Sequence, residues 1–188
     1  MSKIATHNSA TGERSKNLIY VLFSPFARCQ DKTIHEQYYY GVRYFDLRVD
    51  KDLVLCHGLW KSRKSLVDIM TEMGRFEEEV YVTVTIERKY SDKVINDLCE
   101  QIRKVINLRS RGKAKLVYIA QKKPDWSVKV AYRSVKVIKN YLSVPTPYEY
   151  LTLAHKDWRR YIPIPRVLKM ITPKRELTSD YFTMVDFI

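Results

Sequence analysis

The stretch that most constrains this chain is Gly41–Val42–Arg43–Tyr44–Phe45–Asp46–Leu47–Arg48–Val49. Val42, Tyr44, Phe45, Leu47 and Val49 make it almost continuously apolar or aromatic, the composition of a strand covered on both faces. Gly41 closes the run Tyr38–Tyr39–Tyr40 and lets the chain turn into the strand. Within it stand an acid and an arginine two residues apart, so Asp46 and Arg48 leave on the same face. Charges on a covered face are costly unless they are partnered or functional. Two other short pieces end in polar residues. Leu53–Val54–Leu55–Cys56–His57–Gly58 reads as an apolar strand ending in a histidine, and Ala5–Thr6–His7–Asn8–Ser9 lies near the start of the chain.

Around these pieces the pattern alternates. Residues 1–8 read as a short strand. Residues 12–30 are irregular, with an apolar island from Leu18 to Phe23 that Pro25 stops. Asp31 is a candidate cap for a helix over Lys32–Tyr40, in which Tyr38–Tyr40 pack as helix side chains. Ser62 or Ser65 is the candidate cap of the next helix, with Leu66, Ile69, Met70 and Met73 on one face and Gly74 at its end. Tyr81–Ile86 is the clearest strand by propensity and delivers Glu87 at its end. Ser91 opens a helix with Val94, Ile95, Leu98, Ile102, Val105 and Ile106 on one face, closed before Gly112. Lys115–Ala120 is a strand. Residues 125–142 fit both periods, and helix is the reading preferred. Six of the seven prolines fall between 124 and 173, and residues 143–175 resist assignment. Tyr181–Phe187 is a final strand. His35 and His155 are read as surface residues.

Strand–helix alternation argues for a parallel sheet, and in a barrel of parallel strands chemistry gathers at the C-terminal strand ends. His7, Arg48, His57, Glu87 and Asp186 all fall at or near such ends. The length of 188 residues, with 45% hydrophobic side chains, suffices for one domain with a real core, taken as 1–188. The net charge of +13 points to an acidic partner surface: anionic lipid, nucleic acid or a phosphorylated substrate. Cys29, Cys56 and Cys99 are odd in number and show no paired spacing, which favours a reducing compartment. Met1–Ile4 has no apolar signal-peptide core. No run reaches the ~18 apolar residues of a membrane span. The expected location is cytoplasmic, peripheral at membranes.

Thr6–His7–Asn8–Ser9, Gly41–Arg48, Leu55–Cys56–His57–Gly58 and Met184–Val185–Asp186–Phe187, in this order and with fifty residues between the histidines, resemble the X-domain of phosphatidylinositol-specific phospholipase C. The resemblance implies an α/β fold, a TIM-like barrel that is small and irregular or incomplete, and cleavage of phosphatidylinositol-type lipids to diacylglycerol and a cyclic inositol phosphate. It implies His7 as general base, His57 as general acid, Asp186 as the carboxylate orienting His7, and Arg48 against the phosphate, as in bacterial members. Asn8 agrees instead with the animal enzymes, which hold calcium there. Asp46 and Glu87 also fall where those enzymes bind the ion. Arg48 favours a metal-free site, because a guanidinium in the metal's place repels a cation and supplies the positive charge. The expectation is therefore no cofactor, with calcium second.

This set of residues is chemically sufficient for the reaction. Two histidines can exchange the roles of base and acid, worth roughly 10²–10⁴-fold for each positioned proton transfer. A guanidinium fork matches two phosphate oxygens. Asp46 is counted with the catalytic residues, and Asn8, Glu87 and Lys89 with those that bind substrate. Trp158, Arg159, Arg160 and Tyr161 mix aromatic and basic character and are candidates for membrane contact. The expected partner is anionic phospholipid rather than nucleic acid, and the chain is read as a monomer. Two alternatives stand beside this reading. One is a metal-dependent glycerophosphodiesterase or sphingomyelinase-type enzyme, whose usual Glu-x-Asp pair is broken here by Asp46-x-Arg48. The other is a basic lipid- or nucleic-acid-binding module on the same barrel with little turnover.

Overall fold

The structure, a computed structural model, describes residues 4–6, 8–21, 29–122, 135–137, 148–149 and 182–185. Its strands are β1 (Ile4–Thr6), β2 (Val42–Val49), β3 (Val54–His57), β4 (Trp60–Ser65), β5 (Val80–Ile86), β6 (Ala114–Lys122), β7 (Val135–Val137), β8 (Tyr148–Glu149) and β9 (Phe182–Val185). The helices used below are α1 (Ile34–Tyr39), α2 (Leu66–Met73) and α3 (Asp92–Arg109). The sheet runs in the order β7-β6-β5-β2-β1-β9-β8. The six strands from β6 to β8 in that order are parallel neighbours, and β7 is antiparallel on the β6 edge. The fold is mixed α/β, and the last strand lies beside the first. The expected barrel is not closed among the described residues: nothing pairs β7 with β8.

Side-chain parity explains the layering. On β2, Phe45, Leu47 and Val49 point into the main core together with Val80, Val82, Val84 and Ile86 of β5. The buried stripe of α2 (Leu66, Ile69, Met70, Met73) and that of α3 (Ile95, Leu98, Cys99, Ile102, Ile106) close the same core. Val94, expected on that stripe, is 38% exposed. The opposite face begins apolar, with Ala5, Tyr44, Val117, Tyr118 and Ala120, and Tyr44 stacks on Tyr81. It becomes polar toward the strand ends, where the register sets Asp46 beside Thr83 and Arg48 beside Thr85. Beyond Tyr44, strand β2 is buried on both faces, but only one of them is apolar.

The caps follow local chemistry. Ser65 forms a capping box with Asp68 at α2, as the sequence allows, whereas Ser62 is buried within β4. Helix α1 is capped by Thr33 with Glu36 rather than by Asp31. Thr33, through its side chain and its backbone N–H, holds the Glu36 carboxyl below the usual range. Gly74 is not a left-handed cap; its φ is −62°. It is required because a Cβ there would lie 2.8 Å from the Arg109 carbonyl oxygen, where α2 crosses the end of α3.

Three further expectations change. The strand ending in His57 is antiparallel to β2 and forms a hairpin with β4, a strand that the polar run Lys61–Ser65 conceals. Val135–Val137, assigned to a helix on its periodicity, is a strand bonded to β6; the rest of residues 125–142 lies outside the described residues. Of the apolar island, Leu18, Ile19 and Val21 are exposed, and Leu22 and Phe23 lie outside the described residues. Tyr38 is buried as helix packing requires, while Tyr39 and Tyr40 are exposed, as is His35. Among the described residues no helix is long and apolar enough to cross a membrane.

Candidate functional site

The polar end of the sheet is assembled by three parallel strands and one hairpin. Strand β2 supplies Asp46 and Arg48, both buried. Parallel pairing carries β5 one register step further, and the Glu87 N–H donates to the Val49 carbonyl at 2.9 Å, which fixes where the Glu87 side chain starts. Glu87 is 6% exposed, so it is not a solvated strand-end acid. Its Oε2 lies 3.4 Å from Arg48 Nη1, and its Oε1 accepts the Gly58 N–H at 2.9 Å. Arg48 Nε lies 4.0 Å from Asp46 Oδ2. One buried guanidinium is thus shared by two buried carboxylates. Removing that guanidinium would leave the two carboxylates as neighbouring buried like charges.

The turn after β1 completes the group. Asn8 has φ 45° and ψ 49°, a left-handed conformation that asparagine tolerates better than most residues. That geometry points its N–H at Asp46 Oδ2 (3.2 Å) and its side-chain amide at Cys29 Sγ (3.3 Å), with His57 Nε2 at 3.4 Å. His57 is half-buried at the end of β3. The structure therefore brings Asn8, Asp46, Arg48, Glu87 and His57 together. Lys89 is exposed two residues past Glu87. His7, Asp186, Trp158, Arg159, Arg160 and Tyr161 lie outside the described residues. The residues just before the first two, Thr6 and Val185, are register partners across β1 and β9.

Several positioning residues escaped the sequence reading. Ser9 Oγ accepts the Asp46 N–H at 2.9 Å and donates to the Thr6 carbonyl at 2.8 Å, binding the turn to β2. Thr11 Oγ1 donates to the Asn8 carbonyl and accepts the N–H groups of Cys29 and Gln30. Gln37, fully buried on α1, donates to the Ser9 and Lys32 carbonyls and accepts from Thr6. Thr83 Oγ1 reaches Asp46 Oδ1 at 3.4 Å. Gly12 sits where a Cβ would meet the Lys32 carbonyl oxygen at 1.9 Å, so only glycine lets this turn press against the chain entering α1. A short hydroxyl or amide beside a motif is the one signal that would have flagged them, and it is a weak one.

The base of the hairpin is pinned by Asp50. Its Oδ1 accepts the N–H groups of Asp52 and Val54, and its Oδ2 accepts Lys61 Nζ at 2.5 Å. That bond, ahead of other causes, raises the Lys61 pKa. Cys56, next to His57, is pushed up to about 12, first by burial and then by the charges of Glu87 and Asp50. It remains a thiol and supplies no nucleophile. All three cysteines are buried, and none of them forms a disulfide. Among the described residues no three His, Cys, Asp or Glu side chains converge to hold a metal. The oxygens nearest to such a role are those of Asp46, Glu87 and Asn8.

No family model matches this chain, and no curated protein matches it. Among solved structures it is similar to the phosphatidylinositol-specific phospholipase C of Listeria monocytogenes, with 15% identity and a TM-score of 0.45. The likeness covers 80% of this chain and 60% of that one. A superposition at that level does not carry chemistry from one chain to the other.

Proposed function

We propose that this chain is a phosphodiesterase cleaving phosphatidylinositol-type lipids by histidine acid–base catalysis, with Arg48 in place of a metal. The observation that carries the reading is Arg48 held between Asp46 and Glu87 with the His57 ring beside Asn8, all at one end of the sheet. An acid–base group next to a pre-oriented guanidinium is the minimum a phosphodiester transfer requires. The substrate class comes from the sequence resemblance, as do the roles of His7 and Asp186.

In this mechanism His7 removes the proton from the attacking hydroxyl, and Asp186 orients His7. The hydroxyl oxygen attacks phosphorus in line with the departing oxygen, which His57 protonates. Arg48 faces the phosphate oxygens as charge builds on them. Asp46 and Glu87 hold Arg48 in place, and Glu87 also fixes the Gly58 backbone. The test is release of cyclic inositol phosphate from a panel of inositol phosphodiesters, with a bell-shaped pH profile. A flat profile between about pH 5 and 9 would exclude one acid and one base acting together.

A second reading is favoured by one observation: Asp46 and Glu87, two buried carboxylates, converge on the same guanidinium. With the Asn8 amide they offer hard oxygen ligands of the kind calcium takes. The two readings part under chelation. Turnover that survives EGTA supports Arg48 as the charge carrier; turnover abolished by EGTA and restored by calcium supports the cation.

A further inference from the structure

Packing alone does not explain one buried side chain. Gln37 stands on the inner face of α1 with Ile34 and Tyr38, fully buried. An amide in such a place is costly unless its hydrogen bonds are made, and an apolar side chain would fill the space without that cost. Its Nε2 donates to the carbonyls of Ser9 and Lys32, both at 2.7 Å, and its Oε1 accepts the Thr6 hydroxyl at 2.8 Å. Thr6 and Ser9 flank the pair His7 and Asn8. Thr6 is fixed from its other side by its place in β1, in register with Phe45 and Val185.

The turn so gripped carries contacts of the site. The Asn8 N–H reaches Asp46 Oδ2 at 3.2 Å, Ser9 Oγ accepts the Asp46 N–H at 2.9 Å, and the Asn8 amide lies 3.4 Å from His57 Nε2. Asn8 holds its left-handed φ of 45°, a conformation that persists only where its surroundings fix it. Thr11 fixes the Asn8 carbonyl, and Gln37 fixes the next one, that of Ser9. None of the three Gln37 bonds goes to Asp46, Arg48, Glu87 or His57. We infer that Gln37 is a positioning residue of the proposed phosphodiester transfer: one amide sets Thr6 against Ser9, and through them places Asn8 and Asp46 about Arg48 and His57. The inference rests on the phosphodiesterase reading and assigns part of its geometry to α1, outside the site.

The test is Gln37→Glu, which keeps the side-chain length. Ionised, the new carboxyl still accepts from Thr6 but opposes the Ser9 and Lys32 carbonyls; protonated, it donates to one of them. Burial and two facing carbonyls raise such a group above its ordinary value, into an assay range of about pH 5 to 8. On a soluble nitrophenyl ester of myo-inositol phosphate, kcat at about pH 8 should fall on the order of 10²-fold with KM little changed, the scale of a misplaced reacting group. The ratio of variant to parent kcat should then rise as pH falls. Thr33→Ala, which removes the capping box of the same helix, should lower the urea midpoint and leave kcat unchanged. Should Gln37→Glu fail to fold, Thr6→Val keeps the side-chain shape, removes the hydroxyl that Gln37 accepts, and should lower kcat with KM unchanged.

The inference is overturned if either variant matches the parent in kcat per folded molecule. A ratio that stays flat with pH overturns it too, as does an equal loss of kcat in Thr33→Ala. A parent that releases no cyclic inositol phosphate sinks the phosphodiesterase reading, and positioning is then read from amide NMR. The Asn8, Ser9 and Asp46 resonances of Gln37→Glu should depart from the parent's at about pH 8 and return toward them on acidification. In Thr33→Ala they should stay in place. Resonances of Gln37→Glu that coincide with the parent's throughout overturn the inference.

Discussion

Two arginines on β2, five residues apart, answer the same physical problem differently. Arg43 lies near the N-terminal end of the strand. Its guanidinium donates to the Tyr38 and Val42 carbonyls, sits 4.2 Å from the centre of the Tyr38 ring and reaches Glu78 at 2.6 Å. Tyr38 in turn stacks on Phe76, and Glu78 stays half in water. Arg48, near the other end, is held at 3.4 and 4.0 Å by two acids that are both buried. The first arrangement is tight, packed and open to solvent on its acidic side. The second encloses more charge with looser geometry. Burial of that kind is a poor way to gain stability, so folding stability alone does not account for the polar end of the sheet.

The comparison is sharpest in stability. Arg48→Met should cost about 3–5 kcal/mol, because Asp46 and Glu87 would be left as buried like charges, and turnover should go with it. Arg43→Met should cost less, because Glu78 stays half in water and needs no buried partner. Urea denaturation reads both, and equal costs would erase the distinction drawn between the two ends.

The next effect is on rate alone. His57→Ala should lower turnover roughly 10²–10⁴-fold while leaving the urea midpoint close to the parent's, since a half-buried ring contributes little packing. A variant that unfolds easily and retains its rate would place His57 with the structural residues instead.

Smaller still is the pH response of the exposed end. Arg43, by hydrogen bond first and charge second, holds the Glu78 carboxyl below its ordinary 4.5. A carboxyl depressed on folding adds stability that is complete above the unfolded value and disappears as pH falls through the folded one. Melting temperature should therefore decline slightly below about pH 4.5, less so in Glu78→Gln; identical acid limbs would show the pair to be inert.

The smallest expected effect is none at all. With its thiol raised to about 12, Cys56 should resist iodoacetamide at pH 8 in the folded chain and react on unfolding. Rapid alkylation of native Cys56 would mean that the polar end is open to solvent in a way its burial denies.

Much of the site was legible because its chemistry is local. Asp46 and Arg48 share a face by parity alone, and Glu87 follows the strand of highest propensity; both relations survive folding. The Ser65 capping box is also written within four residues. Legibility failed where one residue's role is set by another far along the chain. Ser9 looks like an ordinary turn residue until β2 is placed against it, and Gln37 like an ordinary helix residue until Thr6 and the Ser9 carbonyl are. Strand β4 is disguised because its lysines and arginine face solvent or ion-pair partners and its buried Ser62 is polar, so no apolar alternation marks it.

By itself, then, the sequence determined that Asp46 and Arg48 share a face, that α2 begins after one of two serines, and that acid, arginine and histidine stand at the ends of short apolar runs. Parity and capping are relations between neighbours within four residues, and no distant contact is needed to enforce them. Tertiary structure alone decided that the His57 strand runs antiparallel to β2, that Val135–Val137 joins the β6 edge as a strand, and that Arg48 is divided between Asp46 and Glu87. A short apolar segment suits either strand direction, and a three-residue piece suits helix or strand. What settles such a segment is the free backbone edge and the unpaired charge it meets once the rest of the chain is in place.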